Sequence, residues 1–467
     1  MKFTKFGKAL LMGALTTGVV LSVSSCVQSY TVGFLYVTGT ETAQSTGNGI
    51  ISGYKIDHNT GALTSINGLP ISSGGANPER AVLLVGSRFL YVLNRGTNAS
   101  GGSICTTSNP CSNANITEFA VGGNGILTAQ ETFYTQGVNP FRLITDSSGS
   151  YLYVLDHDAP DSAALTGKNP ASNSCTLALA SLTSSNTCGD ITVFSVNSTT
   201  GQLSLVQNTN VTATTLSYFP VPANPVDFVL AGGYVMTLSS ATAQTTFPYT
   251  GGSIVFPYVY SSGTGRLSVG QDSLQPLTDG STSANTTTGK AGLPDGTAIN
   301  YGGGYLYVLD NNAITVSGTT SPSQILPYII GTAGALSSQV GGPVADDPTQ
   351  SNPSALLVES KGKWAYVANQ GVSTPNEAYS GLAGYVIDSS TKQLTFLPGE
   401  PFGSGSGPRC MVEDPSNQFI YEANYNDSTI SGRVIDQNSG VLNNLPKGSS
   451  FTLPGQPTWC LMDGRTD

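Results

Sequence analysis

Charge is scarce in this chain. Asp, Glu, Lys and Arg together supply 10% of its 467 residues, against about 25% in an ordinary globular protein. Only 18 residues are Lys or Arg, and the formal net charge is −10. No basic stripe is available to neutralise phosphates, so nucleic acid is excluded as a partner. The acidic balance is read as an ordinary solvated surface. Histidine occurs twice, at His58 and His157, and no cysteines stand in C-x-x-C pairs. That pattern ranks zinc below disulfides and leaves no metal site to expect. Beyond the first 26 residues no run reaches the ~18 apolar residues that a membrane-spanning helix needs. A Gly-rich phosphate loop leading into a helix and a serine-nucleophile motif are both missing, and no cofactor is expected.

What is abundant is glycine, with 56 residues, and tyrosine, with 21. Many of the tyrosines fall in one recurring run. Phe34-Leu35-Tyr36-Val37, Phe89-Leu90-Tyr91-Val92, Tyr151-Leu152-Tyr153-Val154, Tyr305-Leu306-Tyr307-Val308, Trp364-Ala365-Tyr366-Val367 and Phe419-Ile420-Tyr421 are clear copies. Tyr234-Val235-Met236 is a worn one, which makes seven copies, roughly 55 to 80 residues apart, a period of repeat architectures. Around each run stand three further parts. A Pro-led apolar run precedes it, near Pro78, Pro140, Pro225, Pro294, Pro353, Pro408 and Pro457. An alternating run follows, over 52–57, 116–121, 191–196, 253–260, 324–330, 382–388 and 430–436. A turn then opens a fourth run at Gly61, Gly125, Gly201, Gly265, Gly334, Lys392 and Gly440. Period-2 alternation with Gly turns reads as four antiparallel strands per repeat. Seven such units set radially predict an all-β, seven-bladed β-propeller.

The ends of the chain are out of phase. Residues 34–38 are a second strand without a first, and Pro457 to Asp463 is a first strand without a second. Joined, they complete one blade, so the expected propeller spans 34–467 and closes its ring with the C-terminal strand. Ahead of it, Lys2, Lys5 and Lys8 precede an apolar stretch from Ala9 to Val23, the layout of a targeting segment over 1–25. It ends in Val23-Ser24-Ser25-Cys26, which resembles a bacterial lipobox. The resemblance implies a lipid on Cys26, a short linker over 26–33 and a membrane partner reached only through that lipid. An ordinary signal peptide with an incidental cysteine is the alternative. The expected location is the cell envelope, outside the cytoplasm.

Six cysteines remain, an even number in an exported chain, which favours disulfides. Proximity suggests Cys105–Cys111 and Cys175–Cys188. Cys410 lies two residues after its proline and Cys460 three after its own, so their side chains leave the blades on opposite faces. A third bridge, Cys410–Cys460, would pin the ring closure, and two buried free thiols are the alternative.

Strand connectivity places the Pro-led starts and the residues after each Tyr-Val around one mouth of the channel. The positions two after each proline are Arg80, Arg142, Asp227, Gly296, Ala355, Cys410 and Trp459, with Asp295 and Arg409 one earlier. Arginines concentrated there in so uncharged a chain suit bidentate binding of a carboxylate-bearing ligand. Equally, they suit pairing with Asp146, Asp227, Asp414 or Asp463 to brace the blades. Asn94-Arg95 and Asn424-Tyr425 end second strands on the same face and read as turn residues. Asp156-His157-Asp158 with Asp161 lacks a regular calcium-loop spacing and reads as a solvated loop.

Phe89-Leu90-Tyr91-Val92-Leu93-Asn94, Thr200-Gly201-Gln202-Leu203 and Gly405-Ser406-Gly407-Pro408-Arg409-Cys410 resemble the seven-bladed propeller lactonase-like family, which includes 6-phosphogluconolactonase-type and YVTN-repeat proteins. The last segment is similar to that family's Gly-x-Gly-Pro-Arg-His, with Cys410 in place of the histidine. The resemblance implies a lactone hydrolase working at the channel mouth. Arg80, Arg142 and Arg409 would meet the developing oxyanion, and Asp227 or Asp295 would activate water. The leading expectation is a lipid-anchored, monomeric propeller that binds a sugar acid, lactone or polysaccharide, or serves as a scaffold. Hydrolysis of an extracytoplasmic sugar lactone is the enzymatic alternative, and a structural surface or adhesion role is a third.

Overall fold

Each aromatic-x-Tyr-Val run forms the second strand of an antiparallel sheet, and there are seven such sheets. The computed structural model describes residues 30–464, apart from 42–47, 85, 87, 101–104, 106–108, 161–187, 209–216, 241–251, 270–274, 282–290, 339–340 and 372–379. Cys26, Asp161, Cys175 and the N-terminal segment therefore lie outside the described residues. The seven innermost strands are Gly455–Asp463, Pro78–Leu83, Val138–Thr145, Pro225–Ala231, Gly296–Gly302, Pro353–Val358 and Pro408–Glu413. Consecutive members touch all the way round, which closes the ring. The chain is an all-β, seven-bladed propeller, as its repeats predict.

Closure follows the out-of-phase ends. Thr31–Glu41 pairs on one side with Asn48–Asp57 and on the other with the C-terminal Gly455–Asp463. Blade 1 is thus built from both termini. Cys410 on the inner strand of blade 7 is bonded to Cys460 on that of blade 1, so a disulfide spans the closure. Cys105–Cys111 is also bonded. Cys188 is in a disulfide too, and its expected pairing with Cys175 falls outside the described residues.

The core is divided into seven apolar clusters, one at each interface between blades. Here the repeat finds its physical reason. The turn glycines Gly61, Gly125, Gly201, Gly265 and Gly440 all take positive φ, between 66° and 81°, a region that only glycine enters without penalty. Each packs against the aromatic that opens the second strand of the preceding blade. A Cβ added at Gly440 would lie 2.6 Å from the Trp364 ring, and one at Gly125 would lie 2.7 Å from Phe34. The tyrosine two residues further on then donates its hydroxyl to the glycine carbonyl. Tyr36 reaches Gly125 at 2.7 Å, Tyr366 reaches Gly440 at 2.7 Å and Tyr421 reaches Gly61 at 2.7 Å. Tyr91 and Tyr153 make the same bond to Gly201 and Gly265.

Two interfaces lack this lock, and both are visible as departures in the repeat. Blade 4 has Met236 where the others have tyrosine. Blade 6 has Lys392 where the others have glycine, and the Tyr307 hydroxyl that would face it is buried without a partner among the described residues.

The structure overturns the reading of Asp156-His157-Asp158 as a solvated loop. The strand Tyr151–Asp158 runs straight through it, and Asp156 is fully buried opposite Asp190. Extended pairing continues because Asp190 lies on a long partner strand, Cys188–Val196.

Candidate site at the channel mouth

The inner strands enter the ring in a common way. Asn77, Asn139, Asn224 and Asn352 have φ between 52° and 60°, and Gly407 has 67°, each directly before a proline. Register then slips between the proline and the residue two after it, as between Pro78 and Arg80, Pro225 and Asp227, and Pro408 and Cys410. A bulge of this kind re-aims side chains without ending the strand. It brings both the first and the second residue after the proline toward the channel in several blades.

A cavity of about 310 Å³ results, lined by Glu79, Arg80, Arg142, Asp227, Thr297, Ala298, Ser354, Gln370, Arg409, Thr458 and Trp459 among others. Of the residues expected at the mouth, Arg80, Arg142, Asp227, Arg409 and Trp459 converge there. Gly296, Ala355, Cys410 and Asp295 are not part of that lining. Cys410 is committed to its disulfide, and Ala355 lines a deeper chamber of about 180 Å³. Blade 5 is offset by two residues. Gly296 pairs with Asp310 as Pro78 pairs with Asn94, so Thr297 and Ala298 take the lining positions. Asp295 precedes the strand, where its N–H donates to the Asp310 carboxylate at 2.8 Å.

Electrostatics divide the mouth into arcs. On blades 2 to 4, Arg80 and Arg142 each reach Asp227 Oδ1 at 3.1 Å, and Arg142 Nη1 reaches Glu79 at 3.1 Å. Asp227 Oδ2 accepts the Ile299 N–H at 3.3 Å, so both of its oxygens are engaged. Bracing through Asp227 is therefore real, whereas Asp146 and Asp414 cap the turns before Tyr151 and Phe419. On blades 5 and 6, hydroxyls replace ions. Thr297 donates to the Pro353 carbonyl at 2.9 Å, and Ser354 donates to that of Pro408 at 2.7 Å. At the ring closure, two arginines lie on aromatic faces. Arg80 stacks on Trp459 and Arg409 on Tyr425, each at 3.6 Å. Burial, with Arg142 nearby, lowers Arg80 to about 10, so it remains a cation at neutral pH.

Arg409 differs from the rest. Among the described residues no carboxylate lies within ion-pair distance of it, and it lines both the central cavity and a second one of about 370 Å³. That second cavity lies beside Thr40, Asn77, Glu79, Arg95, Tyr425 and Thr458. Arg95 and Tyr425, expected as turn residues, thus face the mouth. Glu79 is missed by counting two residues from each proline. Its signal is the position directly after the proline, but only the bulge makes that position face the channel.

Neither histidine enters the site. His58 stacks on Tyr30 at 4.2 Å, and His157 contacts Asp158 at 3.1 Å. Among the described residues no group of three metal-ligating side chains is assembled.

Comparison with known proteins agrees with this architecture. Residues 332–460 match the family model described as lactonase, 7-bladed beta-propeller, which bears out the resemblance read from the repeats. No curated protein matches the chain. In shape it is similar to the periplasmic gluconolactonase of Pseudomonas aeruginosa, with 17% identity, TM-score 0.59, and 93% of this chain and 99% of that chain covered. A candidate 6-phosphogluconolactonase of Bacteroides fragilis gives 15% identity, TM-score 0.58, and coverage of 92% and 98%. One from Bacteroides uniformis gives 13%, 0.59, and coverage of 92% and 99%. At such identities the likeness is one of fold.

Proposed function

We propose that the channel mouth binds the carboxylate of a sugar acid or acidic polysaccharide at the cell envelope, and that binding is its main role. The observation that carries this reading is Arg409, a guanidinium facing two cavities with no carboxylate partner among the described residues. Stacking on Tyr425 holds its plane and leaves its N–H edge for a ligand. The hydroxyls of Thr297, Ser354 and Thr458 and the amide of Gln370 line the same cavity and suit a polyol. Calorimetric titration with galacturonate and with neutral galactose tests the reading. Galacturonate is expected to bind and galactose not, with Arg409→Gln weakening the acid at least tenfold while the melting temperature holds. Equal binding of acid and neutral sugar, or an unchanged affinity in the variant, overturns it.

A second reading is hydrolysis of a sugar lactone, and the Glu79 geometry favours it. Asp227 has both oxygens occupied, whereas Glu79 meets Arg142 through Oε1 at 3.1 Å and its Oε2 approaches Arg95 only to 3.9 Å. Glu79 is thus the carboxylate able to accept a proton from water, with Arg142 or Arg409 facing the oxyanion. Lactone turnover above background that disappears in Glu79→Gln would establish this chemistry. Export and the lipid on Cys26 belong to the same proposal. Cys26→Ser is expected to move the protein from the membrane fraction to the soluble one.

A further inference from the structure

Two cavities meet at this mouth, and together their walls carry an uncompensated charge. The central one and its neighbour between blades 7, 1 and 2 share Glu79, Arg409 and Thr458. Their charged groups are Arg80, Arg95, Arg142 and Arg409 against Glu79 and Asp227. Four cations less two anions leave two positive charges, in a chain whose formal net charge is −10.

Where those two charges reside is set by the partners. Asp227 holds Arg80 and Arg142, and Glu79 holds Arg142 at 3.1 Å. Arg95 approaches Glu79 only to 3.9 Å, and its Nε is buried without an acceptor among the described residues. Arg409 has no ion pair among them. The two under-used guanidiniums thus belong to different places. Arg95 faces the outer cavity alone, Arg409 faces both, and Glu79 stands as a ridge between the chambers. One carboxylate in the central cavity answers Arg409 and leaves Arg95 unmet.

We propose that the natural ligand carries two carboxylates on adjacent sugar units, one seated in each cavity, as in the diuronate end of an acidic polysaccharide. This rests on the acid-binding reading above and specifies the class of acid. Joining two acidic groups makes the second contact intramolecular, so affinity rises without any new kind of interaction. Burial lowers the Arg95 pKa, yet a guanidinium stays charged near neutrality.

The test compares galacturonate, digalacturonate and inorganic phosphate by calorimetry on the full chain, in Arg95→Gln and in the charge-retaining Arg95→Lys. Thermal melts monitor folding. Digalacturonate is expected to bind at least tenfold tighter than galacturonate, and phosphate to show no such gain. Arg95→Gln should bring digalacturonate down to the level of galacturonate while leaving galacturonate itself unchanged, and Arg95→Lys should keep most of the gain. Equal affinities for the mono- and di-acid overturn the two-cavity ligand but leave the acid site standing. Equal weakening of both acids by Arg95→Gln shows a single site and overturns it as well. If no acid binds, the acid-binding reading falls and takes this inference with it.

Discussion

At the scale of single residues, the tyrosine of the repeat does two separable things. Its ring fills the interface between blades, and its hydroxyl satisfies the carbonyl of a turn glycine in the next blade. Tyr366→Phe removes only the second and leaves the Gly440 carbonyl buried without a donor. A loss of about 1–2 kcal/mol is expected, read as a lower denaturation midpoint. Tyr307→Phe removes a hydroxyl that has no partner among the described residues, so its midpoint should stay the same or rise. The mouth offers a parallel contrast. Asp227 is nearly buried and neutralises two arginines, so Asp227→Ala should cost about 3 kcal/mol, whereas Arg409→Gln should change stability little. The sequence makes the arginines conspicuous because charge is rare elsewhere. It does not reveal which of them are consumed, since that depends on how Asp227 of blade 4 and Glu79 of blade 2 meet them across the mouth.

At the scale of elements, the inner strand is where sequence patterns mislead by a residue or two. Counting from the proline places Arg80, Arg142, Asp227 and Trp459 correctly, because their blades share one bulge. The same count misplaces Gly296, because in blade 5 Pro294 stands two residues ahead of the register position that the proline holds elsewhere. It also sets Cys410 at the mouth, although that side chain turns into the interface to meet Cys460. The parity argument for that disulfide survives the bulge. It closes a loop with a sequence separation of 50. Loop entropy of that size is worth about 4 kcal/mol. Cys410→Ala with Cys460→Ala should therefore lower the denaturation midpoint markedly. The slope should rise, because the denatured chain expands once the cross-link is gone.

At the scale of the whole molecule, buried carboxyls set the response to pH. Burial, reinforced by Asp279, pushes Asp310 up to about 9. Burial likewise raises the Asp156 and Asp190 pair, and Glu422 up to about 8. In each case the folded protein holds a proton that the unfolded chain releases at lower pH. Their stabilisation is complete below the ordinary carboxyl range and is lost as pH rises toward these raised values. Each such group costs the fold at most about 1.4 kcal/mol for every pH step between its unfolded and folded titrations. The melting temperature should accordingly be higher at pH 5 than at pH 9. Asp310→Asn keeps an acceptor for the Asp295 and Asn312 N–H groups and has no proton to lose. Its melting temperature is expected to vary less over that range than that of the unaltered chain.

The sequence by itself determined the number of blades, the four main strands of each and the closure by the C-terminal strand, while in five blades a short extra strand also pairs with the third. Those properties follow from local periodicity, repeated seven times, and from ends that are out of phase. It also marked the two interfaces that lack the tyrosine lock, at Met236 and Lys392, although only the structure explains why they matter. The tertiary structure alone decided which charges at the mouth remain available. Glu79 and Arg95 come from blade 2, Asp227 from blade 4 and Arg409 from blade 7, and bulges of a single residue direct the inner-strand members. Whether a guanidinium is spent or free is a matter of ångströms between blades, and no periodicity along the chain encodes that.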